Sequence, residues 1–177
     1  MDEAVIGPLD LTVRVDEALA VQARAFGLSE DETRVRHHIV LRHVATPGSR
    51  ALGATLPDNT LVGFVYGLPC DRTQWWASVV EPHLRANGVD DWLDDSFTIT
   101  ELHVLPEYQG LGIGRALITA LTDHCGRPRS LLSAIDADTP ARALYRKLGY
   151  RDLARRVAFP SAPRPYAVMG AHLPLAR

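Results

Sequence analysis

Cysteine is scarce in this chain: Cys70 and Cys125 are the only two among 177 residues. Two distant cysteines build neither a disulfide framework nor a zinc site, so both read as small buried hydrophobes in a reducing, cytoplasmic protein. Long apolar runs are missing too. The acidic start, MDEAVIGPLDLTV, has no basic flank leading into an apolar segment, so neither a signal peptide nor a membrane span is expected. Net charge is only -2 at pH 7, which removes the global electrostatic case for nucleic acid or a membrane surface. There is no internal repeat and no low-complexity tract. What is present is an ordinary globular composition, 46% hydrophobic and 23% charged, in a length that suits one domain with a core of its own.

Periodicity and punctuation place the elements. LTVRV, Leu11–Val15, alternates as a half-buried strand does, and Asp16 stands where it can cap a helix running to about Phe26. SEDETRVRHHIVLRHVA begins with Ser29 as a cap and acidic residues in the first turn, with Val35, Ile39 and Val40 near helical spacing. RALGATL and LVGFVYGLP, joined by PDNT, read as two strands and a tight turn. Asp71–Asp95 is aromatic and acidic, helical at first and broken by Pro82 and Gly88; it reads as an excursion too short for a core of its own. FTITELHVL is a strand. SLLSAID, after a helix, is another, and implies a parallel crossover. DTPARALYRKLGY is a helix with Pro140 near its first turn and Gly149 as its stop, and two late strands around Arg151–Phe159 and Tyr166–Leu173 close the chain. The expected fold is α/β (α+β): a mixed, mostly antiparallel sheet with one central parallel strand pair and helices on both faces.

Chemistry concentrates in LHVLPEYQGLGIGRALITAL, where a strand hands over to a helix through Gly110, Gly112 and Gly114. A helix N-terminus carries unpaired N–H groups and partial positive charge, and a loop without side chains can wrap them around an anion. A phosphate or pyrophosphate is the natural guest, with Arg115 adding charge at the mouth; a bare tight turn is the plainer alternative. A Walker loop is excluded by the missing Lys-Ser/Thr pair, and the dinucleotide fingerprint by the G-x-G-x-G spacing.

ELHVLPEYQGLGIGRALI followed by DADTPARALYRKLGY resembles the Gcn5-related N-acetyltransferases (GNAT). Their Q/R-x-x-G-x-G/A loop matches Gln109, Gly112 and Gly114, and a second block matches Leu144, Tyr145, Leu148, Gly149 and Tyr150. The resemblance covers Phe97–Asp152 closely and implies a single domain over the whole chain, with the excursion around 71–95 inserted in it. It implies acetyl-CoA, or another acyl-CoA, as donor. The main chain of Gln109, Gly110, Leu111, Gly112, Ile113, Gly114 and Arg115 would hold its pyrophosphate. The strand around Leu102, His103 and Val104 would pair with the pantetheine arm. Asp138 stands where the family often has Asn; an Asp keeps the helix cap but lacks the amide donor toward the cofactor arm.

Making an amide from a thioester needs a neutral amine, a stabilised oxyanion and a proton for the departing thiolate. Tyr145 is the candidate acid, a phenol protonated at pH 7 that the family often uses, with a core-packed tyrosine as the alternative. Glu101 is the candidate base, directly or through water. Strand alternation puts Leu102 and Val104 on the core face and Glu101 with His103 on the acceptor face. His103 is a second candidate base, and a structural carboxylate paired to an arginine is the other reading of Glu101. Tyr66, Asp71, Trp75 and Trp76 are candidates to line an amine site, although both tryptophans cannot face inward on one helix. The cluster Asp90, Asp91, Asp94 and Asp95 reads as a solvated loop, and no metal site is expected among the histidines.

The sequence thus points to an acetyl-CoA-dependent N-acetyltransferase acting on a primary amine of a small molecule or peptide. A non-catalytic acyl-CoA sensor and a nucleotide-binding protein of other chemistry are the alternatives. Homodimerisation through the late hairpin or the Trp-rich excursion stays open.

Overall fold

Asp10 decides the first departure from simple alternation. In the computed structural model, which describes residues 3–177, Asp10 Oδ1 accepts from the Thr12 amide at 2.9 Å and curls the chain. Leu11–Val15 is therefore a turn rather than a strand. The first strand lies earlier, β1 (Val5–Pro8), and the turn leads into α1 (Val15–Phe26). Asp16 does not cap α1. Arg14 occupies the cap position without a side-chain bond, and Asp16 sits in the first turn, where its charge suits the helix dipole. The next helix, α2 (Glu30–Val44), starts as expected. Ser29 Oγ accepts from the Glu32 amide and Glu32 Oε2 accepts from the Ser29 amide, a full capping box.

The strands β2 (Arg50–Thr55) and β3 (Leu61–Pro69) form an antiparallel hairpin. Its turn is closed by Asp58 accepting from Thr60 and by Asn59 at φ +70°. The helix α3 (Trp75–Ala86) runs straight through Pro82, which is exposed, so the break expected there does not occur. A 3-10 turn, Asp90–Leu93, then leads into β4 (Ser96–Val104). There follow α4 (Ile113–Asp123), β5 (Arg129–Ile135), α5 (Pro140–Lys147), β6 (Arg151–Val157) and β7 (Tyr166–His172). Cys125 lies just past the end of α4.

The strand order is β1-β2-β3-β4-β5-β7-β6. One pair is parallel, β4 with β5 from Ser96↔Arg129 to Thr98↔Leu131. The pairs β1–β2, β2–β3, β5–β7 and β6–β7 are antiparallel. This is the mixed, mostly antiparallel sheet that the sequence suggested.

By packing, the chain divides into two compact units: residues up to Leu68 with Ile99–Cys125, and Pro69–Thr98 with Gly126–Arg177. In the first, strand side chains alternate between two helical layers. Tyr66, Glu101 and His103 meet residues of α1 and α2, and Phe64 lies against His103. On the other face, a Cβ placed on Gly63 would lie 3.2 Å from Val104 and 3.4 Å from Leu117 of α4, so close packing of strand and helix there requires glycine.

The second unit explains the excursion. Ala77, Val80 and Leu84 of α3, with Trp92 and Leu93 of the 3-10 turn, are buried in one cluster with Leu131 of β5, Leu153 and Val157 of β6 and Val168 of β7. The segment has no core of its own because it supplies part of this shared one. The same unit contains a charged lock. Arg142 of α5, 1% exposed, gives two hydrogen bonds to Asp152, at 2.7 and 2.8 Å. Asp136, after β5, accepts from Arg155 and from the Arg156 amide, both at 2.7 Å. Among the described residues no helix is long and apolar enough to cross a membrane.

Candidate functional site

The glycine loop is in the first unit, and its geometry follows from its residues. Gly110 and Gly112 have φ of +77° and +85°, a region that costs a side-chain-bearing residue about 1–2 kcal/mol. Gly112 is the cap of α4, and the first helical bond runs from the Ala116 amide to the Gly112 carbonyl at 3.0 Å. The amides of Ile113, Gly114 and Arg115 therefore have no partner inside the helix and point out of its N-terminus. A Cβ added to Gly110 or Gly112 would meet nothing within 4 Å. The bareness of these positions is thus not required by packing, which is what an anion-approaching main chain would show. Gln109 braces the loop from below, its side-chain amide donating to the Val104 carbonyl at 2.9 Å. A groove of about 430 Å³ adjoins the loop, lined by Ile6, Tyr108, Leu111, Gly112, Ile113 and Ala116 among others.

Glu101 and His103 lie together on the α1/α2 side, as strand alternation required, and Val104 lies on the α4 side. His103 Nε2 is 2.7 Å from Glu101 Oε2, and Arg36 of α2 donates to Glu101 Oε1 at 3.0 Å. Burial pushes the Glu101 carboxyl up. The His103 hydrogen bond, the charges of His103 and Arg36 and a hydrogen bond from Gln22 outweigh it, so its pKa falls below the ordinary value. Glu101 is therefore an ionised, doubly held carboxylate at neutral pH.

Tyr66, 1% exposed, is part of the same polar layer rather than an open wall: its hydroxyl is 3.1 Å from His43 Nδ1. Burial, then the Glu101 charge, raises the phenol well above its usual pKa. Burial lowers His43, with Arg42 adding to that and Glu101 opposing it, so the imidazole is neutral at pH 7.

Arg36, His43 and Gln22 were not among the sequence candidates. A signal for two of them existed. Arg36, Val40 and His43 share one face of α2, and Val40 is the buried residue of that helix. Val35, read as part of the apolar stripe, is 62% exposed.

The second unit holds the other candidates. Tyr145 is buried on α5, its ring edge-on to Tyr150 at 5.8 Å. The Tyr150 hydroxyl is 2.7 Å from Ser130 Oγ. Asp138 does not cap α5. Thr139 does, accepting from the Arg142 amide at 3.2 Å, and the Asp138 side chain is fully exposed. The tryptophans divide as the helix geometry demanded. Trp76 points inward, its indole N–H donating to Ser133 Oγ at 3.2 Å, while Trp75 is 59% exposed. Asp71 closes the turn before α3 by accepting from the Thr73 amide and hydroxyl at 2.8 and 2.7 Å. Asp90, Asp91, Asp94 and Asp95 are not merely solvated: they pair with Arg72, Arg129 and Arg127. Cys70 is half-buried, and burial pushes its thiol pKa up, which suits an inert side chain.

Comparison with known proteins bears on family and fold. Residues 15–150 match the sequence profile of the acetyltransferase (GNAT) family. A GCN5-like protein acetyltransferase of Mycobacterium tuberculosis is 29% identical over 95% of this chain and 96% of its own. The fold is similar to that of the ribosomal-protein-S18-alanine N-acetyltransferase of Escherichia coli, with a TM-score of 0.67 at 19% identity over 98% of this chain and 96% of that one. It is also similar to a PaiA N-acetyltransferase of Thermoplasma acidophilum solved with coenzyme A, with a TM-score of 0.64 at 14% identity over 96% and 98%.

Proposed function

Because this chain belongs to the GNAT acetyltransferase family and is an acyltransferase, we propose that it moves an acetyl group from acetyl-CoA to a primary amine of a small molecule or peptide, by direct transfer. The observation that carries the reading is the loop Gln109–Arg115. A side chain at Gly110 or Gly112 would meet no neighbour, and the helix-start amides have no helical partner. That pattern fits the diphosphate of a coenzyme A thioester. The family uses acyl-CoA, which supplies an activated acyl group; acetyl is the chain length proposed here.

The residues have these roles in the proposal. Main-chain amides from Gln109 to Arg115 bind the diphosphate, with the Arg115 charge beside them. The backbone of Leu102, His103 and Val104 orients the pantetheine arm, and Asp138 offers it at most an acceptor. Tyr145 gives its phenolic proton to the departing thiolate, which a group of ordinary pKa near ~10 can do at pH 7. The proton of the acceptor amine goes to the pair formed by Glu101 and His103. Trp75 and Asp71, both exposed, are proposed to meet the acceptor, with Tyr66 and Trp76 as further candidates for binding it. The names of the M. tuberculosis and E. coli relatives speak of protein substrates, which supports including peptide amines. A cytoplasmic location completes the proposal.

The test is thiol release from acetyl-CoA against a panel of alkyl amines, polyamines and peptides, comparing wild type with Tyr145→Phe. Turnover with at least one amine and its loss in the variant is the expected result. Coenzyme A binding without turnover on any amine would defeat the proposal.

A further inference from the structure

Resting on the acyltransferase reading above, we propose that His103 Nδ1 is the atom that takes the proton from the acceptor amine. Glu101 is then its positioning residue and the side-chain carbonyl of Gln22 holds the amine. The inference begins with one hydrogen bond. Glu101 Oε2 lies 2.7 Å from His103 Nε2, and an ionised carboxylate can only accept. Nε2 must therefore carry the hydrogen. In the neutral ring the lone pair then sits on Nδ1, and no group among the described residues hydrogen-bonds that nitrogen. Glu101 itself is poorly placed to be the base. One oxygen is held by Arg36 and the other by His103, and this pairing stabilises the charged form.

The ring cannot easily turn away. Phe26 of α1 and Phe64 of β3 stand against it, each with its ring centre 5.8 Å from that of His103, and the side chain is only 11% exposed. The charged and titratable groups facing this cluster are Glu101 from β4, Arg36 and His43 from α2, and Tyr66 from β3; α1 contributes the uncharged Gln22. Gln22 is 1% exposed and its Oε1 has no hydrogen-bond partner, although the same side chain bonds Glu101. A buried carbonyl without a donor is costly to stability. The cluster thus offers two acceptor atoms without partners, Gln22 Oε1 and His103 Nδ1, and this is the complement of an amine, which arrives with N–H groups. The step transfers one proton from the amine nitrogen to Nδ1. The resulting imidazolium keeps its Nε2–H on Glu101, and the amine regains its lone pair for attack.

Nitrogen-15 NMR of the full-length protein at pH 8 reads the ring without any turnover. The expected result is a protonated Nε2 and a lone-pair Nδ1; a protonated Nδ1 in the neutral ring would overturn the proposal. Rate profiles against pH give the second measurement. His103→Gln should lose the acidic limb of kcat/KM together with roughly 10²-fold or more in rate. Glu101→Gln should keep a limb, lower kcat/KM about tenfold or more, and turn the nitrogen spectrum into a mixture of the two ring tautomers. Gln22→Met should raise KM for the amine about tenfold and leave the limb in place. A His103→Gln enzyme with wild-type rate and limb would sink the idea. Failure of the acetyltransferase reading would instead show as silence across the amine panel, while the nitrogen spectrum judges His103 separately.

Discussion

Replacing Gly112 with alanine separates fold from function in one residue, because a matched control exists in the same unit. Gly112 has φ +85° and Gly27, which ends α1, has φ +74°; a Cβ on either meets nothing within 4 Å. Steric clash therefore contributes nothing, and each substitution costs only the left-handed backbone, about 1–2 kcal/mol. For a chain of this size that lowers the melting temperature by about 2–8 °C. Thermal unfolding of Gly112→Ala and Gly27→Ala should accordingly give similar losses. Calorimetry with coenzyme A should not. The alanine methyl at position 112 stands at the cap of α4, next in sequence to the helix-start amides, while the methyl at position 27 stands at the end of another helix. We expect at least a tenfold weaker Kd for Gly112→Ala, about 1.4 kcal/mol, and an unchanged Kd for Gly27→Ala. A folded Gly112→Ala protein that binds coenzyme A like wild type would refute the argument that the loop is bare for the sake of a diphosphate.

Tyr145→Phe should lower kcat by about 10²-fold or more with little change in coenzyme A affinity; steady-state kinetics and calorimetry together check this. Glu101→Gln should destabilise the protein at pH 7. Arg36 is a third exposed, so the cost should fall below the ~3–5 kcal/mol of a fully buried pair. Because the folded Glu101 pKa is depressed, its contribution is complete above the ordinary value near ~4.3 and fades as pH falls through the lowered one. Urea midpoints of wild type and variant should therefore converge in acid. Arg142→Met should destabilise the protein by urea unfolding, but by less than the ~3–5 kcal/mol of a fully buried pair, because Asp152 is partly exposed and keeps Arg155 at 3.5 Å and Arg146 at 3.8 Å. Gly170→Ala should destabilise by about 1–3 kcal/mol in the same assay, because its Cβ would lie 2.7 Å from Leu153 and 2.8 Å from the Trp92 ring.

Elements with chemical end signals were legible in the sequence, and those without were not. The box of Ser29 and Glu32 marks α2. Gly149 ends α5, with its amide bonded to the Arg146 carbonyl and the Tyr150 amide to the Tyr145 carbonyl. β1 is the opposite case. VIGP contains a glycine and a proline, and its extended form is supported by pairing with β2 from Val5↔Thr55 to Pro8↔Leu52. Nothing local announces a strand that a distant partner maintains. LTVRV misled for the converse reason: five alternating residues satisfy a strand pattern, but the preceding Asp10 supplies a turn that alternation does not weigh. Pro82 did not break α3, a helix whose inner residues Val80 and Leu84 are fully buried in the second core.

The site divides along the same line. Its anion loop is one contiguous stretch and reads directly. The cluster around Glu101 is assembled from four elements, and its partner Arg36 is 65 residues away. Each half looks costly alone: α2 places an arginine and a histidine beside buried Val40, and β4 places a carboxylate and an imidazole on one inward face. A buried charge without a partner is among the most expensive things a core can hold, and a lone half of this cluster would be selected against on stability. Apposed, the halves cancel most of that cost while leaving Gln22 Oε1 and His103 Nδ1 unanswered. Stability alone would replace the whole group with apolar residues. A buried polar cluster with two acceptors still open is the arrangement that the proposed N–H donor would complete.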